Sequence, residues 1–362
     1  MKIVIAPDKF AGTLGASEAV AALSAGWRRV RPDDELVAVP MADGGEGTLD
    51  VVAEVTTARW QDAEVADARG VATQARWLLL EDGRAFVEAA QAVGLSRLPA
   101  DARDPLTATS YGVGQLLAQA CRQADEVIIS LGGSATVDGG AGAMTALGHR
   151  LERADGNRLK VGARYLDALA RIVPGPRLPA TLVVASDVTN PLLGAAGAAA
   201  VFGPQKGAGP EDVVLLEARL AHWADLVERD VPGGPYRELA GAGAAGGLGF
   251  ALAAFEGARI ESGAATVARL AGLDAALADA AIVLTGEGRL DDQTFFGKGP
   301  GYVTERARAA GARVFAVAGT IRDGAGARFD AARELGPEGL VRAAELVADR
   351  AAELAATVSG QA

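Results

Sequence analysis

Six short apolar runs, Lys2 to Ala6, Glu35 to Val39, Glu126 to Leu131, Thr181 to Ala185, Ala281 to Thr285 and Arg313 to Ala318, each stop at a polar or glycine-rich loop. Several are apolar at consecutive positions, the pattern of strands covered on both faces in a parallel sheet. Helical spacing separates them: Val20, Leu23, Trp27 and Val30 fall on one face, as do Leu216, Leu220, Trp223 and Val227. A chain that alternates these patterns buries both by laying helices over a parallel sheet, which is the α/β class. The pattern changes between about Thr57 and Ala89, where Ala75 to Glu81 and Arg84 to Glu88 flank Asp82-Gly83, a hairpin signal. At 362 residues a single core usually stops growing. The expected architecture is a doubly wound, mostly parallel sheet domain from residues 1–70 plus 271–362, with a second α/β domain, 71–270, inserted into it and a ligand cleft between them. The closing helix, Gly339 to about Val358, is expected only to pack.

Half the residues are apolar and 22% are charged, a globular composition. The net charge of −11, without a Lys/Arg run, argues against a nucleic-acid partner. Cys121 stands alone, so neither an internal disulfide nor a cysteine zinc site is available. His149 and His222 lack a second histidine at ligand spacing and sit in helix-like surroundings, which favours packing over a Ser-His-Asp triad. The start, MKIVIAPD, is too short an apolar run for a signal peptide, and nowhere do 18 apolar residues run together. The expectation is a soluble cytoplasmic protein with no membrane partner.

Glycine is about 13% of the chain against an ordinary ~7%, clustered at 43–47, 131–142, 194–209, 241–249 and 286–301. The 35 basic residues comprise 30 arginines and only five lysines, of which Lys9, Lys206 and Lys298 lie in loops. Where arginine is the default cation, a loop lysine offers a compact ammonium that grips phosphate as a point charge.

Most suggestive polar residues follow strands, where open α/β sheets bind ligands. Asp8 and Lys9 follow the first run beside a helix start, which suits a metal-phosphate ligand or, for Asp8, a cap. Asp43 and Glu46, among glycines, suit a hard cation or a hydroxyl-bearing substrate. Gly132, Gly133, Ser134, Thr136, Asp138 and Gly139 form a glycine-rich turn between a strand and a helix, a phosphate cradle of backbone N–H groups and hydroxyls. Asp187 ends a strand with Asn190 and Lys206 following, a place for a general base. Glu287, Arg289 and Asp291, with Lys298, fill a last strand-end loop with the equipment for magnesium and a transferring phosphoryl group. No G-x-x-x-x-G-K-[ST] occurs, which disfavours a P-loop NTPase. Gly241 to Gly246 fits G-x-G-x-x-G, yet Val231 to Tyr236 before it is no strand, so close helix packing or a ligand-facing loop explains it better than a dinucleotide.

In these blocks the chain resembles the type 1 glycerate kinases of bacteria over nearly its whole length. The carriers are Ile5 to Asp8, Met41 to Thr48, Gly132 to Thr136 with Asp138 to Gly140, Ser186 to Gly194, Val201 to Gly207, Gly241 to Gly249 and Thr285 to Asp291. The resemblance implies phosphoryl transfer from ATP to glycerate, giving 2-phosphoglycerate in preference to 3-phosphoglycerate, with Mg2+ and two α/β domains. Joined to the residue chemistry, it puts phosphates over Gly132 to Gly140, magnesium near Glu287 or Asp291, Lys206 and Lys298 on transferring charge, and Asp187 as base. An arginine, Arg289 first among candidates, would hold the glycerate carboxylate. The chain departs from the family at Ala11, often a lysine, and at Val137, often an asparagine.

Two rival classes are an NAD-dependent oxidoreductase of small hydroxy acids and a non-catalytic sugar-acid-binding protein. If Lys298 acts on developing charge, Lys298→Ala should lower kcat by on the order of 10²–10³ with the fold retained. Steady-state kinetics giving turnover within about threefold of the unaltered enzyme would remove it from the site.

Overall fold

A computed structural model describes residues 1–295, 299–322 and 324–359. Among the described residues thirteen strands follow in chain order: β1 (Lys2–Ile5), β2 (Glu35–Ala38), β3 (Ala58–Ala66), β4 (Ala72–Leu80), β5 (Ala85–Glu88), β6 (Glu126–Ser130), β7 (Arg150–Arg153), β8 (Leu169–Val173), β9 (Thr181–Ala185), β10 (Arg259–Glu261), β11 (Ile282–Leu290), β12 (Arg313–Ile321) and β13 (Ala331–Glu334). The chain divides into two compact units. The first holds Met1–Asp43, Asp50–Thr56 and Ser262–Ala362, and the second holds Gly44–Leu49 and Thr57–Glu261.

The first unit is built on a five-stranded, all-parallel sheet in the order β13-β12-β11-β1-β2. Its consecutive apolar residues serve two cores. Val4, Val283, Val314 and Ala316 face one side, with Val303 and Ala307 of the helix Gly299–Ala309. Ile3, Ile5, Leu284, Phe315 and Val317 face the other, with Leu23 and Trp27 of the helix Ala16–Val30 and Val347 and Leu354 of the helix Ala343–Ser359. Both faces are covered, which is why these strands do not alternate. The order runs outward from β1 to β2 in one direction and from β11 to β13 in the other, so the crevice beyond the carboxyl ends of β1 and β11 is a topological switch point.

The second unit carries a six-stranded sheet, β10-β9-β6-β5-β4-β3, parallel from β10 to β5 and antiparallel through β4 and β3, with a separate β7-β8 hairpin. Its core gathers Trp77, Val87, Ile129 and Val184 from the sheet with Leu117, Leu216, Leu220, Trp223 and Val227 from helices. No helix among the described residues is long and apolar enough to cross a membrane.

Some details differ from the sequence reading. Besides the Gly44–Leu49 loop, the second unit runs from Thr57 to Glu261, where the sequence led to an expected 71–270, because β3 pairs with β4 along all nine residues and cannot be parted from it. Thr285 to Leu290 is strand, not loop: β11 pairs with β12 out to Leu290↔Ile321. Glycine permits this close approach, since a β-carbon on Gly286 would stand 2.1 Å from the Val317 carbonyl oxygen. Val30 ends its helix exposed, and the closing helix starts at Ala343 after a 3₁₀ turn at Pro337–Leu340.

Gly26 sets the contact between the first and last helices of the first unit, because a β-carbon there would lie 1.9 Å from the Ala348 carbonyl oxygen. Gly26→Ala should therefore be net destabilising: about 1–3 kcal/mol of overpacking outweighs the ~1 kcal/mol gained in helix propensity. A urea midpoint lower than that of the unaltered protein is the expected result.

Candidate active site

In the first unit, the backbone carries β1 past its last pair, with Asp8 donating its N–H to the Gly286 carbonyl at 2.9 Å. The Asp8 carboxylate is buried. Burial first, then the neighbouring Asp43 and more weakly Glu287, push its pKa well above the usual carboxylate range, against the Lys9 N–H bond (2.6 Å) and the Lys9 charge. Gly299, which opens the helix Gly299–Ala309, is packed so close that a β-carbon on it would lie 2.8 Å from Asp8 Oδ2. Glu287 accepts a 2.6 Å hydrogen bond from the buried Thr294 hydroxyl, which in turn accepts the Asp291 N–H. Arg289 is exposed and pairs with Asp291 at 2.9 Å. Among the described residues no three donors already stand at metal-ligand spacing. Even so, mutually repelling carboxylates are the donor chemistry of a hard cation, and Mg2+ takes one or two carboxylates plus waters in preference to an all-protein cage. Asp8, Asp43 and Glu287 fit such an ion. Lys298 lies outside the described residues.

In the second unit, the strand ends enclose a cleft of about 280 Å3 lined by Leu95, Leu131, Gly132, Gly133, Ser134, Ser186, Val188, Phe202, Gln205, Lys206, Ala244 and Ala245. Lys206 is almost fully buried, and its ammonium donates to Ser134 Oγ (3.2 Å) and the Thr136 carbonyl (2.8 Å). Burial lowers its pKa to about 7, opposed by the attraction of Asp138.

The glycine-rich turn after β6 separates into two parts. Gly132, Gly133 and Ser134 face the cleft, whereas Thr136, Asp138 and Gly139 stand behind it. Asp138 accepts hydrogen bonds from Ser110 N–H (2.8 Å), Ser110 Oγ (2.9 Å), Gly140 N–H and Gly142 N–H. That carboxylate braces the turn and the helix Ala141–Ala146, and burial raises its pKa despite those donors. Gly139 accepts from the Trp223 indole at 2.9 Å. Behind the turn lies the G-x-G-x-x-G segment, where Ala245, Gly246 and Gly247 all have positive φ. A β-carbon on Gly246 would stand 2.0 Å from the Thr136 carbonyl, so these glycines serve close backbone packing, while Ala244 and Ala245 of the same segment line the cleft.

Asp187 is half-buried between the cleft residues Ser186 and Val188. Asn190 spends its amide on the Ala196 carbonyl at 2.7 Å, a turn-stabilising bond. Glu46 is exposed, accepts from the Ser96 hydroxyl and lies against Gly133, where a β-carbon would come within 2.9 Å of Glu46 Cβ. The Gly44–Leu49 loop is fastened by Glu88, a buried carboxylate at the end of β5 that accepts the Gly47 N–H (3.1 Å) and the Leu49 N–H (2.9 Å). The sequence reading missed Glu88, Ser110 and Thr294. The one available signal was an acid closing the apolar run Ala85 to Glu88. The histidines are structural: His149 bonds Glu256 and Gly175, and His222 bonds the Leu169 carbonyl.

A family model described as the glycerate kinase family matches residues 3–358. Glycerate 2-kinase of Escherichia coli K12 is 43% identical over 336 residues, covering 90% of this chain and 87% of that protein. Glycerate kinase of Bacillus subtilis 168 is 42% identical over 327 residues, covering 89% and 85%. A crystal structure from Salmonella typhimurium LT2, carrying the provisional name glycerate kinase 2, aligns over 100% of this chain and 99% of that one at 42% identity with a TM-score of 0.87.

Because Asp138 braces the turn from within, Asp138→Ala should act on stability. Leaving Ser110 and two backbone N–H groups without their acceptor is expected to cost on the order of 2–4 kcal/mol. Hydrogen exchange should show protection lost at Gly140 and Gly142 first. Unchanged exchange there would contradict the bracing role.

Proposed function

This chain belongs to the glycerate kinase family, a family of ATP-dependent phosphotransferases, and from that premise we propose that it transfers the γ-phosphoryl group of ATP to the C2 hydroxyl of glycerate. The observation that carries the reading is the buried Lys206 ammonium, held at the floor of a cleft by Ser134 and the backbone of a glycine-rich turn. A desolvated cation beside a glycine-rich turn suits polyphosphate oxygens and the charge that moves between them during transfer.

In this reading Gly132, Gly133 and Ser134 take phosphate oxygens, and Lys206 offsets charge on the transferring group. Asp187 accepts the proton of the glycerate hydroxyl as its oxygen bonds to the γ-phosphorus, while the bond from that phosphorus to the bridging oxygen breaks and ADP leaves. Asp8, Asp43 and Glu287, with Asp291, would hold Mg2+, which when bound neutralises phosphate charge. The C2 regiochemistry is supported by the E. coli relative, named a 2-kinase. It also places the reacting oxygen beside the carboxylate, so that one anchor fixes both.

A coupled ADP-release assay with glycerate separates this reading from its rivals. A hydroxy-acid oxidoreductase would instead change nicotinamide absorbance, and a binding protein would do neither. Phosphorus NMR of the product, with no mutase present, should give the 2-phosphoglycerate signal. A dominant 3-phosphoglycerate signal would overturn the regiochemistry and leave the kinase reading intact.

Lys206 also sets a pH dependence. If the ammonium is the active form, kcat/KM for ATP should fall about tenfold per pH unit above pH ~7, and Lys206→Arg should remove that limb. Stability moves the other way. The unfolded chain holds the Lys206 proton up to about pH 10.5, while the folded protein releases it near 7, so between those values the unfolded state binds more protons and this group's contribution to stability rises with pH. Denaturation and kinetic profiles that ran in the same direction would refute the assignment.

A further inference from the structure

Arg103, whose carbonyl and Cβ pack against Gly207 directly after the cleft lysine, carries a guanidinium nitrogen with no hydrogen-bond partner. That nitrogen, Nε, is buried. The adjacent carboxylate does not take it, since Asp104 accepts from the Leu106 N–H at 3.0 Å and the Thr107 hydroxyl at 2.7 Å and faces Arg164 at 3.8 Å. A buried guanidinium N–H without an acceptor is unfavourable in the free protein, and such groups mark places where a ligand completes the bonding.

The position gives that donor a purpose. Gly207, directly after Lys206, has φ +102° and lies against Arg103: a β-carbon on Gly207 would stand 2.8 Å from the Arg103 carbonyl oxygen and 3.2 Å from Arg103 Cβ. The segment leading to Arg103 starts at another cleft wall, where Leu95 donates its N–H to the Gly133 carbonyl at 2.7 Å. Both ends of the stretch 95–103 are thus fixed to elements that line the cleft. Every substrate of the proposed reaction is an oxyanion, and guanidinium presents the planar fork that carboxylate and phosphate accept in pairs.

We infer that Arg103 is a substrate-anchoring residue of the Lys206 cleft, supplying its guanidinium to an oxyanion of the bound substrates, the glycerate carboxylate or an ATP phosphate. The inference rests on the function proposed above for that cleft. Arg103 acts on binding and takes no part in bond making.

The test uses full-length Arg103→Met, which keeps the stem and deletes the donors, and Arg103→Lys, which keeps the charge and loses the fork. Arg103→Met should raise KM for one substrate about ten- to a hundredfold with kcat within about threefold, the signature of lost uniform binding. A shift in the glycerate KM identifies the carboxylate, and a shift in the ATP KM identifies a phosphate. Because a buried unmet donor has been removed, the ligand-free melting temperature should stay level or rise, while the stabilisation given by glycerate alone or ADP alone is lost for the ligand concerned. Arg103→Lys should restore only part of the affinity, and it decides the matter if the methionine variant does not fold. Both KM values within twofold of the unaltered enzyme would overturn the inference. So would a lowered ligand-free melting temperature with ligand stabilisation retained, the result a packing role predicts. Should the unaltered enzyme release no ADP with glycerate, the proposed function fails by itself. Stabilisation by inorganic phosphate, lost in Arg103→Met or kept, then still decides whether Arg103 binds an oxyanion.

Discussion

The second unit depends on backbone meeting backbone without side chains between. Gly246 presses on the Thr136 carbonyl, Gly247 on the α-carbon of Gly139, and Gly132 on that of Gly45, each at a separation that a β-carbon would close to 2.7 Å or less. Such contacts keep the turn after β6 thin and rigid, and they let its cleft-facing half offer main-chain groups in place of side chains. Three successive left-handed residues, one of them Ala245, keep the G-x-G-x-x-G segment close enough to serve as a backing plate. For a non-glycine residue that conformation is strained, and it stands directly on the cleft lining.

Electrostatics in the two units have opposite characters. In the first, burial and the nearby charges of Asp43 and Glu287 raise the cost of ionising Asp8, so the switch point is short of positive charge. In the second, Lys206 is desolvated with one buried acid behind it, so the cleft is short of negative charge. At net −11 the overall field of the chain repels anions, and the buried lysine reverses that sign locally. The local arrangement, not the global charge, decides which ligands are welcome.

The alternation of apolar runs with helical spacing was legible because both-face burial writes itself directly into sequence as unbroken Val/Ile/Leu stretches. The Pro210–Asp230 helix read correctly for a similar reason: Leu216, Leu220, Trp223 and Val227 are all buried. What the sequence obscured follows from long-range geometry. Thr285 to Leu290 looked like a loop because two glycines and three charged or polar residues break the apolar pattern, and only the pairing with β12 makes it strand. Asp138 looked like a ligand contact, but four donors turn it inward, and Ser110, which supplies two of them, lies twenty-eight residues away. Glycines that look alike in sequence divide into cradle and spacer only when their neighbours in space are known.

Glu88 shows how the chain path ties the two units into a single folding problem. Its carboxylate belongs to β5, yet the N–H groups that satisfy it come from Gly47 and Leu49, a six-residue excursion between two stretches of the first unit. A gene fragment encoding only 57–261 would retain the buried acid and discard its donors. The inserted unit is therefore not a cassette that recombination could lift out and graft elsewhere. Its inheritance is bound to that of the flanking sequence, and any exchange of modules in this lineage would have to carry the loop along.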